Sequence, residues 1–170
     1  MADTAMTDSA DTDAGGLWMV IGAEAAYYGL SMVVLNNTWY KGRRKVPLHF
    51  YDDSRAYLQV DKFGHAFGAY VQSYCGYHLL RQVGISEGNA IAFGGTLGLV
   101  MQAPIEIMDG LHEGWGFSWG DMIANATGSA LVIGQQLAFG EQIAIGKFSY
   151  RESAYARQSN GYLGHNSLDR

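Results

Sequence analysis

The chain has 170 residues, of which 48% are apolar and only 16% charged, against roughly 25% charged in an average soluble domain. That length suits one domain or a small helical membrane bundle and leaves little room for a second catalytic domain. The net charge of -5 excludes nucleic acid as a partner, since neutralising phosphates takes a basic surface, and the 23 glycines follow no Gly-X-Y period, which excludes a collagen-like chain.

Residues 1–16 carry Asp3, Asp8, Asp11 and Asp13 and no basic residue. This is the composition of a solvated, disordered tail, and it lacks the positive n-region of a signal peptide. Gly15–Tyr40 follows with Glu24 as its single charge. Three further windows, Phe63–Leu80, Gly88–Ile105 and Met122–Gly140, contain no Asp, Glu, Lys or Arg over 18, 18 and 19 residues, close to the roughly 20 residues a helix needs to cross a bilayer. The expected fold is therefore all-α, a small bundle of about four spanning or membrane-embedded helices over residues 17–147, with residues 148–170 as a polar C-terminal tail. A soluble four-helix protein is the alternative, although its helices would ordinarily show a charged face.

Polar residues interrupt the windows: Gln72, Ser73, His78, Asn89, Gln102, Asn125, Gln135 and Gln136. In a bilayer these are expected to face the bundle interior. The pairs Gly64 with Gly68 and Gly94 with Gly98 have the spacing that lets helix backbones approach closely. The basic run Lys41, Arg43, Arg44 and Lys45 after the first window reads as a topology determinant at headgroup level. Cys75, the single cysteine, lies mid-window, so it supports neither a disulfide framework nor N-terminal lipid attachment.

Chemistry-bearing residues stand at the window edges. Asp61 and His65 open the second window one helical turn apart, Glu106 and Asp109 close the third, with Gly110 placed as a C-cap, and Ser118 with Asp121 forms an N-cap at the fourth, followed on the same stripe by Asn125. Alternating helices put the start of the second, the end of the third and the start of the fourth at one end of the molecule. Asp61, His65, Glu106, Asp109, Asp121 and Asn125 are therefore expected to converge there. Such a layer could run acid-base chemistry, hold a divalent metal through Asp61, His65, Glu106 and Asp121, or lock three helices together by hydrogen bonds. Trp39, Tyr40, Trp115, Phe117 and Trp119 belong to the same end, as an aromatic belt or as part of a loop covering a ligand.

Asp61-Lys62-x-Gly64-His65-Ala66, Tyr70, Glu106-x-x-Asp109-Gly110, Gly116-Phe117-Ser118-x-x-Asp121, Ala124-Asn125-x-x-Gly128 and Lys147-Phe148-Ser149-Tyr150 form an ordered series. With it the chain resembles the YfiM-like family of periplasmic lipoproteins, a family of unknown function, over roughly residues 35–165. More distantly, the Asp-Lys-x-x-His opening, the acidic span end and the Asp-x-x-x-Asn-x-x-Gly helix are similar to VanZ-like membrane proteins, one of which is linked to glycopeptide-antibiotic tolerance. The resemblance implies a place in the bacterial cell envelope and no particular reaction. Two functions are consistent with these residues: an accessory or scaffold subunit that meets membrane lipids or a larger membrane protein complex, and, alternatively, a membrane-embedded enzyme or metal-dependent binding protein acting on an envelope lipid headgroup.

Overall fold

A computed structural model describes residues 12–55, 59–147 and 149. The acidic tail, except for residues 12–16, and the polar C-terminal tail, except for residue 149, lie outside the described residues. Among the described residues there are four helical segments and no strand. They are α1 (Ala14–Leu35), extended by a π-helical turn Asn36–Tyr40; α2 (Val60–Gln82); α3 (Glu87–Asn89), which runs through a π-helical turn Ala90–Gly94 into α4 (Leu97–Gly110); and α5 (Trp119–Phe139). Helix α1 begins inside the segment read as tail, and Gly16 is already buried.

Helices α2 and α5 pack along their length, and α4 lies against both. Glycine permits this approach. A Cβ on Gly98 would stand 2.0 Å from the Ala69 carbonyl oxygen, and one on Gly128 would stand 2.1 Å from that of Ala66, so no other residue fits at either crossing. Gly94 meets Tyr77 in the same way, whereas Gly64 has no neighbour within 4 Å of a Cβ position. The Gly64–Gly68 pair is thus only half a helix contact, because Gly64 faces open space.

The helix crossings are also tied by hydrogen bonds. The first backbone N–H groups of α4 have no partner in their own helix. Gly98 N–H donates to Ser73 Oγ at 3.0 Å and Leu99 N–H to Ser129 Oγ at 2.9 Å, while the two hydroxyls bond each other at 2.9 Å. Ser73 and Ser129 therefore cap α4 from α2 and α5.

The partition of side chains is inverted relative to a water-soluble protein. Ser73, Gln102, Glu106, Asn125, Ser129 and Gln136 are buried, beside a small apolar cluster of Tyr70, Tyr77, Ala90 and Val132. Trp18, Leu30, Phe93, Val100, Ile123 and Leu137 are exposed. Of the interrupting polar residues, Asn89 does not turn inward and is exposed.

Two segments, Ala14–Tyr40 and Glu87–Gly110, are long and apolar enough to cross a membrane. The expected count of four is not reached, since the polar residues of α2 and α5 lower their hydropathy. A signal sequence or a buried core helix would match as well on length and hydropathy, so burial is the more telling property. Only 6% of the apolar α1 window is buried. Helix α1 is held at its ends, where Asp13 N–H donates to the Val83 carbonyl at 3.0 Å and Tyr40, 2% exposed, donates its hydroxyl proton to Asp109.

Candidate functional site

Helix alternation brings the N-terminal turn of α2, the C-terminal turn of α4 and the N-terminal turn of α5 to one end, where two loops cover them. Residues 41–55 lace to residues 111–118 through His49 N–H to the Gly110 carbonyl (3.0 Å), Phe117 N–H to the His49 carbonyl (2.9 Å) and Tyr51 N–H to the Phe117 carbonyl (3.0 Å). Gly110 is not the C-cap expected from its position. Leu111 takes that place, and a Cβ on Gly110 would stand 2.5 Å from Leu48 Cδ1, so this glycine admits the covering loop.

His65 is the centre of the group. Its Nδ1 lies 3.1 Å from Asn125 Oδ1; an amide oxygen only accepts, so Nδ1 donates there and Nε2 is left for other partners. That Nε2 faces Glu106 Oε1 at 3.5 Å and Asp61 Oδ1 at 3.8 Å. Single ligand atoms of Asp61, His65 and Asp121 all lie within 4.8 Å of one another. Glu106 is fully buried; its Oε2 accepts from Ser118 N–H at 3.3 Å, while Oε1 accepts no hydrogen bond.

Beside this group sits a second one. Lys62 Nζ bridges Asp53 Oδ2 at 2.6 Å and Asp121 Oδ1 at 2.9 Å, and Ser118 Oγ donates to Asp53 Oδ1 at 2.8 Å while capping Asp121 N–H at 3.2 Å. Burial works to raise the Asp53 carboxyl, but hydrogen bonds from Lys62 and Ser118 outweigh it and hold it below the usual carboxylate range. Asp53 joins the cluster from a loop without periodicity. Its one trace in the sequence is the Asp52-Asp53 pair, and it is missing from the residues expected there.

Asp61, His65, Asp109 and Asp121 line a cavity of about 950 Å³ between the end of α1 and the α2–α4 pair, with Trp39 and Trp115 also in its wall. Glu106 and Asn125 lie behind it, and Asp109 is held at its edge by Tyr40. The six residues expected to meet thus do meet. The aromatic residues surround them: Trp39 and Trp115 approach at 6.4 Å between ring centroids, Phe50 stacks with Trp119 at 6.4 Å, and the Arg43 guanidinium lies 5.1 Å over the Trp115 ring. Gln72, His78 and the neighbouring tyrosines stay outside this group, His78 packing on Tyr74 at 4.3 Å.

The profile of the predicted periplasmic lipoprotein family DUF2279 matches residues 49–135, just over half the chain. The chain belongs to this family. The matched stretch runs from the covering loop through α2 and α4 into α5, so it contains the whole cluster apart from Tyr40, and it leaves α1 out. Membership makes this an envelope protein and bears out the lipoprotein side of the resemblance at that level; the match does not extend to the VanZ-like proteins. Neither a curated protein nor a solved structure matches the chain.

Proposed function

We propose that this DUF2279 member is embedded in a membrane of the cell envelope and takes the polar head of an amphiphile into the cleft between α1 and the α2–α4 pair. The single observation that carries this is the composition of the cleft along α1. Its cluster end is the charged, tryptophan-walled cavity of about 950 Å³. Toward the other end of α1 lies a mostly apolar cavity of about 470 Å³ lined by Leu17, Val20, Ile21, Leu80, Phe93 and Leu97, with Glu24 and Asn89 also in its wall. A polar pocket and an apolar one along the same helix suit a molecule with a head and a chain.

The inverted partition of side chains supports the membrane setting, because buried amides and hydroxyls inside an apolar exterior are what a hydrocarbon solvent favours. Tyr40 supports retention of α1 in the working protein, since its removal would leave Asp109 without its hydroxyl partner. The scaffold reading draws on a different observation, the Lys62 bridge from α2 to Asp121 of α5 and Asp53 of the covering loop, which locks elements together without needing a ligand.

Gly64 separates the two. It lines the cavity with nothing within 4 Å of a Cβ position, so Gly64→Phe should fill the cleft without disturbing a helix crossing. Native mass spectrometry of the protein released from membranes should find an amphiphile on the wild type and little on this variant. Equal retention by both, or none on either, would leave the scaffold reading in its place.

A further inference from the structure

The atoms that meet at His65 pose a chemical problem. Nδ1–H is committed to Asn125 Oδ1, and Nε2 faces carboxyl oxygens of Glu106 at 3.5 Å and Asp61 at 3.8 Å. These atoms can meet only with a proton or a cation held among them. A buried carboxyl group either takes up a proton or needs a compensating positive charge. Lys62 serves Asp53 and Asp121, and among the described residues no lysine or arginine pairs with Asp61 or Glu106. Glu106 Oε1 is fully buried and accepts no hydrogen bond.

We infer that Asp61, His65, Glu106 and Asp121 form a binding site for one divalent first-row transition-metal ion, with Asn125 as the group that orients the imidazole. One imidazole nitrogen with carboxylate oxygens is a donor set that Mn²⁺, Fe²⁺ and Zn²⁺ accept. The Asn125 contact is the outer-shell bond that fixes which ring nitrogen is free. Asp121 gives one oxygen to Lys62, and an Asp121 oxygen lies within 4.8 Å of ligand atoms of both Asp61 and His65. The mixed polarity of the cavity gives the ion an open side: Asp61, with its side chain 46% exposed, stands at the cavity, while Glu106 closes the rear. This deepens the reading of the cleft as a binding site and rests on it, since a cation there would meet an anionic headgroup.

The test uses the full chain in detergent, stripped with a chelator and titrated with Mn²⁺ while the free-ion signal is followed by electron paramagnetic resonance. One ion per chain should be taken up. Removing an outer-shell partner alone costs about 10–100-fold in metal affinity, so His65→Gln and Asp61→Asn should each weaken binding by at least about tenfold. Glu113→Gln, at the exposed Arg44 pair, should bind as the wild type. Circular dichroism checks the fold; Asp61 is exposed enough that its variant decides the matter even if His65→Gln unfolds. Free Mn²⁺ unaffected by equimolar protein, or binding unchanged in Asp61→Asn, would overturn the assignment. Mn²⁺ uptake by a protein that retains no amphiphile would sink the headgroup reading and leave the metal site standing. An amphiphile retained without Mn²⁺ uptake would do the reverse.

Discussion

Asp53 and Asp121 close on the Lys62 ammonium at 2.6 and 2.9 Å with all three side chains largely out of solvent. Arg44 and Glu113 make a pair at 3.5 Å with both side chains well exposed. The two cases differ in what removal leaves behind. Taking away one partner of a buried pair strands a charge and costs about 3–5 kcal/mol, whereas an exposed pair contributes about 0–1 kcal/mol. Lys62→Met should therefore lower the thermal midpoint in detergent strongly and Arg44→Ala hardly at all; similar midpoints would show that the Lys62 bridge is not holding the loop to α5. Asp61, His65, Glu106, Asp121 and Asn125 were legible because each sits at a fixed offset from the edge of a charge-free window, so helix geometry dictates where it lies. Asp53 was not, since a loop residue carries no period and its position follows from tertiary pairing of residues 41–55 with 111–118, and neither was the Tyr40–Asp109 bond, which joins two helix ends.

At the scale of helices, the crossings are set by glycine and serine. A methyl group on Gly98 would overlap the Ala69 carbonyl, and relieving such overpacking costs about 1–3 kcal/mol. Gly64→Ala has room and should stay within about 0.5 kcal/mol of the wild type. Comparing Gly98→Ala with Gly64→Ala by thermal unfolding checks this, and equal effects would contradict the crossing geometry. Ser73→Ala and Ser129→Ala should each cost on the order of 1 kcal/mol and be non-additive when combined, because their hydroxyls share one network; strict additivity in the double mutant would separate the two caps. The four helical segments could be read from long runs with no charge or, in the first, with Glu24 alone. Their internal breaks could not. The π-helical turn at Ala90–Gly94 and the role of Gly110 depend on which neighbouring backbone comes near, and spacing along one chain does not encode that.

At the scale of the molecule, the account turns on what solvent surrounds the apolar exterior, and Cys75 reports on it. It is the single cysteine of the chain, it lies in the C-terminal half of α2, and it is exposed. Partial burial and Glu24 of α1 hold the thiol above its usual range, so in water a charged maleimide would label it completely but slowly at neutral pH and faster as the pH is raised. Surrounded by hydrocarbon, it would be reached neither by the reagent nor by the water needed to form the thiolate. A lipid anchor alone would leave α2 in water and Cys75 reactive, so the measurement also separates embedding from anchoring. The most direct test is to treat intact membranes containing the protein with a membrane-impermeant charged maleimide, and then to repeat the treatment after full denaturation. The account predicts little modification of Cys75 in membranes opened to give the reagent access to both faces, and complete modification once the chain is unfolded. Complete labelling of Cys75 in those native membranes would contradict it.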